Sequence, residues 1–136
     1  MLSTLPLMAI VLIIYNGLLF GLGGAGMTWD YELFSINMVS GSVWSFDLGD
    51  FIIVLGLLLL FFEILKSTRV GRLSIIDHLL STLVLIIFLV EFLLIPGAST
   101  SIFFILMLMA LMDVMAGFSV SIRSATRDVN FGNGSL

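Results

Sequence analysis

The sequence predicts an all-α membrane protein: four transmembrane helices in a bundle, with a β-hairpin on the extracytoplasmic side between helices 1 and 2. Three observations support this prediction. Hydrophobic residues make up 60% of the chain and charged residues only 10%, whereas a soluble domain carries roughly 25% charged residues. The apolar residues lie in four long runs, and the basic residues are confined to two stretches. We therefore expect residues 1–136 to form a single integral membrane domain.

The four apolar segments have the lengths that helices need to cross a bilayer, about 17–25 residues. Pro6 suits the first turn of the first helix, and Pro96 stops the third. A cleaved signal peptide is the alternative for the first segment, but no basic residue precedes it, so we expect it to be retained. The predicted spans are about 5–22, 49–66, 76–95 and 101–122, and a polar tail occupies 123–136.

The basic residues predict the orientation. All five lie in the connection between the second and third segments or after the fourth segment: Lys66, Arg69, Arg72, Arg123 and Arg127. Short loops rich in Lys and Arg stay in the cytoplasm, so both termini are predicted to be cytoplasmic (N-in/C-in). This layout is similar to that of small polytopic bacterial inner-membrane proteins, and we expect that location.

The stretch at about 31–48 has a different period. In "LFSINMVSGSVWSFDL" apolar and polar residues alternate on both sides of a glycine-containing turn, which predicts a β-hairpin. We expect Met38 to face Trp44 and Ile36 to face Phe46. An isolated hairpin is marginal in water, so its apolar face must lie on the membrane interface, on its own helices or on another copy. An interfacial amphipathic helix is the alternative. The predicted contact face is Phe34, Ile36, Met38, Trp44, Phe46 and Leu48.

Three polar side chains on three different segments lie near the middle of the apolar runs, at Asn16, Glu91 and Asp113. At about 1.5 Å per residue, each lies some 15–20 Å from the inner end of its segment. We therefore predict one polar layer near mid-bilayer, with Tyr15 beside it. Because charge is costly there and burial favours a neutral acid, we expect the two acids to be neutral or to share one charge. The layer either fixes helix packing or carries protons or cations.

Small residues predict which helix faces turn inward. Gly49, Gly56 and Glu63 recur every seven residues, and Ala110 and Asp113 begin a similar stripe on the fourth segment. Small side chains let helices approach closely in a membrane. We expect these faces to meet inside the bundle and the Leu, Ile and Phe faces to meet lipid.

A second polar group is predicted at the cytoplasmic face, from Glu63, Lys66, Asp77 and His78. Glu63 and Lys66 have the spacing of an (i, i+3) ion pair, and Asp77 suits a helix start. His78, the only histidine, could bind a divalent ion with Asp77 and Glu63, or titrate near neutral pH. A lone histidine is weak evidence, so we predict neither a metal site nor a cofactor.

The methionines of the fourth segment are the other candidate ligands, since thioethers bind Cu(I). Methionine is more often flexible core filler, and the chain has no cysteine. No nucleophile–base arrangement occurs, so we predict no catalytic residues and no enzyme. The few scattered basic residues exclude a nucleic-acid footprint.

Two functions remain from different classes. The first is a non-enzymatic scaffold or accessory subunit that associates with itself or joins a larger membrane complex. The second is a homo-oligomeric proton or cation channel that uses the intramembrane carboxylates. The lipid bilayer is the expected environment in both. A continuous polar cavity through the bundle would favour the channel, and a dry packed core would favour the scaffold.

Overall fold

The chain folds mainly into helices, with one antiparallel hairpin. The computed structural model describes residues 5–22, 28–68 and 72–134. Within these ranges the elements are α1 (Leu7–Leu22), β1 (Glu32–Asn37), β2 (Val43–Asp47), α2 (Leu48–Ser67), α3 (Arg72–Leu94), a short 3₁₀ helix (Pro96–Ala98) and α4 (Ser101–Gly134). The predicted helical fold, with a hairpin between the first two helices, is confirmed.

Three of the described helices are long and apolar enough to cross a membrane, within Leu48–Ser67, Ile75–Leu94 and Ser101–Ser119. Helix α1 is apolar but has only 16 residues. At about 1.5 Å per residue it is roughly 24 Å long, less than the hydrocarbon core of about 30 Å. The predicted first span therefore has a shorter helix than the other three.

Helix α4 is longer than predicted. We expected it to end near residue 122 and a polar tail to follow, but the helix continues to Gly134. No proline interrupts this stretch, and its first glycine is Gly132. A loss of hydrophobicity does not end a helix, because its backbone hydrogen bonds are internal wherever the helix lies.

The four helices pack around one core. Helix α4 lies against both α2 and α3, whereas α1 packs mainly on α2. A Cβ at Gly49 would lie 2.6 Å from Ile102, and a Cβ at Gly56 would lie 2.8 Å from Leu106. These glycines let α4 approach α2 closely, as the seven-residue spacing predicts. The centre of the core contains Met8, Val11, Tyr15, Ile52, Phe88, Phe103 and Leu106, each 0% exposed.

The hairpin register differs from the prediction by two residues. Ile36 pairs with Trp44 and Phe34 pairs with Phe46, instead of Met38 with Trp44. The reason is the turn: Gly41 has φ of 89°, so a three-residue loop with a left-handed glycine closes the hairpin. A shift of two keeps every side chain on its predicted face, since the period of a strand is two.

The hairpin joins α2 directly. Asp47 ends β2 and caps α2: its side chain accepts a hydrogen bond from the Asp50 N–H, while the Asp50 carboxylate accepts one from the Asp47 N–H. The Leu48 N–H donates to the Tyr31 carbonyl. The hairpin is thus fixed to the start of α2. We call this end of the bundle the hairpin end, and the opposite end, where α2 stops and α3 starts, the far end.

Candidate functional site

Glu63 organises a buried polar group at the far end. This α2 residue is only 1% exposed, and its Oε2 accepts a hydrogen bond of 2.8 Å from the Leu7 N–H. The first N–H groups of a helix have no partner within the helix, and the helix N-terminus attracts negative charge. Glu63 therefore holds the start of α1 against α2.

Lys66 connects three helices at the same level. Its Nζ lies 3.5 Å from Glu63 Oε2 and 3.2 Å from Asp77 Oδ1 on α3. It also donates a hydrogen bond of 2.6 Å to the Leu5 carbonyl, just before α1. The predicted ion pair of Glu63 with Lys66 is present, and Asp77 shares the same ammonium group. Two carboxylates and one cation thus meet where α1, α2 and α3 converge.

Asp113 of α4 completes this far-end cluster, which we define as Glu63, Lys66, Asp77, Ser81 and Asp113. The Ser81 hydroxyl donates to Glu63 Oε1 at 3.4 Å. Asp113 lies near the level of Ser81, because Gly117, one turn from Asp113 on α4, lies against His78. Asp113 is 4% exposed, and its Oδ2 has no hydrogen-bond partner. The cluster therefore holds three buried acids beside one partly exposed base.

His78 was predicted to belong to this group, but the structure turns it toward α4. Its ring meets the Phe118 ring edge-on, with centroids 4.0 Å apart. Its Nδ1 lies 2.6 Å from the position of a Cβ on Gly117, and its buried Nε2 has no partner. Consecutive helix residues point about 100° apart, so His78 and Asp77 face different neighbours. No group of three or more potential metal ligands occurs in the part of the chain that the structure describes.

The predicted mid-bilayer layer is only partly assembled. Asn16 Nδ2 donates 3.0 Å hydrogen bonds to Glu91 Oε1 and to the Leu12 carbonyl, which ties α1 to α3. Asn16 Oδ1 and Glu91 Oε2 are buried and have no partner. The Tyr15 hydroxyl bonds to other partners: it donates to the Gly97 carbonyl at 3.1 Å and lies 2.8 Å from Thr100 Oγ1. It thereby fastens α1 to the turn between α3 and α4.

Asp113 does not share a layer with Glu91, and that prediction is wrong. Gly117 lies against His78, so Asp113, one turn from Gly117 on α4, falls near the level of Ser81, which is about one turn from His78 on α3. Glu91 is ten residues farther along α3, or about 15 Å at 1.5 Å per residue. Our estimate measured heights from Asp77 and Arg123 as if the two were level. The contact of Gly117 with His78 places Arg123 farther from the hairpin end than Asp77.

A packed apolar layer lies between the hairpin end and the far-end cluster. Phe88 and Phe103, both 0% exposed, have ring centroids 5.2 Å apart. Tyr15 packs edge-on against Phe103 at 4.9 Å and stacks on Trp29 at 4.4 Å. These contacts fill the space that a polar path from the hairpin end to Asp113 would need in one copy.

A cleft of about 440 Å³ opens at the hairpin end. Its lining includes Trp29, Asp30, Asp47, Asp50, Thr100 and Ser101. Asp47 and Asp50 already cap α2 through each other's backbone, which explains their presence without a ligand. The cleft therefore provides an acidic surface at this end of the bundle.

The apolar face of the hairpin is uncovered. Phe34, Ile36, Met38 and Trp44 are 46%, 46%, 41% and 43% exposed. The Phe34 and Phe46 rings stack at 4.9 Å, and Trp44 meets both edge-on. The face is thus a preformed aromatic surface that the described helices do not cover.

Sequence reasoning did not assign three of these contacts to a site: Ser81, Thr100 and the Leu7 N–H. Ser81 lies one turn beyond Asp77 on the same face of α3, a signal that could have identified it. The partners of Thr100 and Leu7 depend on tertiary packing alone. Comparison with protein-family models, with curated proteins and with solved structures found no match for this chain.

Proposed function

We propose that this chain is a small polytopic membrane protein that acts as a non-enzymatic scaffold or accessory subunit and self-associates through the hairpin face. One observation carries the proposal: this face is wholly apolar and preformed, and four of its six side chains, Phe34, Ile36, Met38 and Trp44, are exposed. Monomeric proteins rarely leave large contiguous apolar patches uncovered outside the lipid. A two-stranded hairpin is also marginal alone, so a partner surface would stabilise it.

The charge distribution favours a second copy of this chain as the partner that covers the hairpin face. The hairpin face, defined as Phe34, Ile36, Met38, Trp44, Phe46 and Leu48, contains no charge. The first 65 residues contain no Lys or Arg, while Asp30, Asp47 and Asp50 lie at the same end. Two identical apolar faces can pair about a twofold axis without opposing these carboxylates. The proposed assembly is therefore a homo-oligomer, alone or within a larger membrane complex.

The proposed location is the bacterial inner membrane, with both termini in the cytoplasm. The support is the distribution of Lys66, Arg69, Arg72, Arg123 and Arg127, because short basic loops remain on the cytoplasmic side. The far end of the bundle then faces the cytoplasm, and the hairpin faces the opposite compartment. Cysteine-accessibility labelling at Ser40 and at Ser67 would test this orientation from each side.

The experiment on association uses the two faces of the hairpin. Phe34→Ser with Trp44→Ser removes the aromatic surface, while Ser35→Ala with Ser45→Ala changes the opposite face of the same strands. Native mass spectrometry of protein extracted in lipid nanodiscs should show an oligomer for the wild type and the control. The aromatic variant should be monomeric.

Two outcomes would contradict self-association through this face. One is a wild-type protein that stays monomeric at every density in the membrane. The other is an oligomer that survives the Phe34 and Trp44 changes. Quenching of Trp44 fluorescence by lipid-borne quenchers in a monomeric protein would assign the face to the membrane interface.

The second candidate is a homo-oligomeric proton or cation channel. One observation favours it: Asp113 is buried with a free Oδ2, as a carboxyl on an ion path would be. The apolar layer of Phe88 and Phe103 opposes it within one copy. Proton or cation flux into liposomes separates the two: flux that Asp113→Asn abolishes supports the channel, and its absence supports the scaffold.

A further inference from the structure

We propose that the outer edge of β1 binds an extended segment of a partner protein as a third strand, and that this segment carries basic residues beside Asp30 and Glu32. The proposal goes beyond self-association, because it uses the edge of the hairpin and leaves the hairpin face free. It therefore does not depend on how copies of this chain associate.

The hairpin register shows which backbone groups of β1 are free. The Met38 N–H donates to the Ser42 carbonyl, so these two residues form a hydrogen-bonded pair. Hydrogen-bonded and non-hydrogen-bonded pairs alternate along an antiparallel ladder. Ser35 and Asn37 therefore lie in non-hydrogen-bonded pairs, and their N–H and C=O groups point away from β2.

The outer edge of β1 is uncovered. The sheet has only two strands in the part of the chain that the structure describes. All six residues of β1 are exposed, whereas β2 becomes half-buried where it joins α2. Edge strands that avoid pairing carry lysine, proline or a bulge. β1 has neither Lys nor Pro, and its one irregularity lies between Glu32 and Phe34, so the stretch from Phe34 to Asn37 can accept a further strand.

The charges at one end of this edge favour a basic partner. Asp30 and Glu32 flank the start of β1, and neither forms an ion pair within the described ranges. Lys66, the first base in the sequence, lies at the far end of the bundle. Antiparallel pairing is the more stable arrangement per residue. It places the carboxyl-terminal end of the partner strand beside Asp30 and Glu32, so the basic residues belong at that end.

The alternation of β1 sets the remaining pattern of the partner. Neighbouring strands carry their side chains on the same two faces of a sheet. Apolar residues of the partner strand would lie beside Phe34, Ile36 and Met38 and extend the aromatic surface. Small polar residues would lie beside Ser35 and Asn37. The partner segment is therefore alternating, extended and basic at its carboxyl-terminal end.

Amide hydrogen exchange of the protein in lipid nanodiscs tests the edge directly. The probe is the amidated peptide VSVTVSKK, which has this pattern, and its control is VSVTVSEE. The basic peptide should slow exchange of the Ser35 and Asn37 amides. It should leave the Ser45 amide unchanged, because the backbone of Ser45 points to the opposite edge. The acidic control should bind several-fold more weakly, since like charges repel.

Proline substitution separates the two edges of the hairpin. Ser35→Pro removes an N–H that the hairpin ladder does not use and should abolish binding of VSVTVSKK. Ser45→Pro makes the same change on the opposite edge and should leave binding unchanged. If Ser35→Pro does not fold, methylation of the peptide amides that face β1 decides instead, and the methylated peptide should not slow exchange at Ser35 or Asn37.

Any of three results would overturn the proposal. The first is unchanged exchange at Ser35 and Asn37 with millimolar VSVTVSKK. The second is equal binding of VSVTVSEE, which would remove the assignment of a basic partner. The third is equal protection by the methylated peptide, which would exclude backbone pairing at this edge.

Discussion

Replacing Glu63 tests the claim that one buried carboxylate holds α1, α2 and α3 together. Glu63→Ala removes the acceptor of the Leu7 N–H, the acceptor of Ser81 and one partner of Lys66. Glu63→Gln keeps one acceptor oxygen, removes the charge and replaces the other oxygen with an NH2 donor. We expect both variants to destabilise the bundle, and the alanine variant to do so much more.

The contacts set the magnitude. Leaving the partly buried Leu7 N–H unpaired costs about 1–3 kcal/mol. Removing one partner of a buried ion pair costs about 3–5 kcal/mol, but Lys66 keeps Asp77 and the Leu5 carbonyl. We therefore expect a total near the low end, about 3 kcal/mol, which is about a 100-fold change in the unfolding equilibrium. Glu63→Gln should lose about 1 kcal/mol.

The assay is reversible unfolding in bicelles, followed by fluorescence of Trp29, which stacks on Tyr15 in the core. Amide exchange at Leu7 supplies a local measurement, since only a lost cap should accelerate it specifically. Glu32→Ala on exposed β1 is the matched control. A Glu63→Ala variant no less stable than Glu32→Ala, with unchanged exchange at Leu7, would refute the reasoning.

Three further predictions concern packing. Gly56→Val places a Cβ 2.8 Å from a side chain of α4, so it should lower the free energy of unfolding by about 1–3 kcal/mol. A Cβ at Gly17 meets nothing within 4 Å, so Gly17→Val should be neutral, and equal unfolding midpoints for the two variants would contradict the prediction. Phe103→Ala removes a ring that is 0% exposed and should lower the free energy of unfolding by about 3 kcal/mol. Phe104 is 42% exposed, so Phe104→Ala should lower it far less in the same unfolding assay. Gly41→Ala forces φ of 89° on a residue with a Cβ, which costs about 1–2 kcal/mol of backbone strain. The hairpin amides should therefore exchange faster, and unchanged exchange would exclude the left-handed turn.

Local sequence patterns determined the elements and their faces. The long apolar runs require helices, because a chain in lipid must satisfy its backbone hydrogen bonds within itself. Alternation around Gly41 places Phe34 and Trp44 on one face, and this held although the register differed by two. The seven-residue spacing of Gly49 and Gly56 identified the inward face of α2, since such a spacing returns to nearly the same side of a helix.

Tertiary structure alone decided which side chains meet. The level of Asp113 depends on how α4 slides against α3, and contacts such as Gly117 with His78 set that offset. Estimating it from the predicted span ends failed because the inner ends of the third and fourth spans are not level. Likewise, Glu63 accepts a hydrogen bond from the Leu7 N–H although the two residues are 56 positions apart in the sequence. No local sequence pattern predicts that contact.

The sequence by itself thus determined an apolar helical protein with an aromatic hairpin face and acids turned into the bundle, because side-chain periodicity and hydropathy are local properties. Only the tertiary structure divided those acids into two groups, Glu91 bonded to Asn16 and Asp113 near the level of Ser81 and Glu63. The physical reason is that the offset between neighbouring helices follows from the fit of small and large side chains along their whole contact. The residues of one short segment do not determine how two helices fit together.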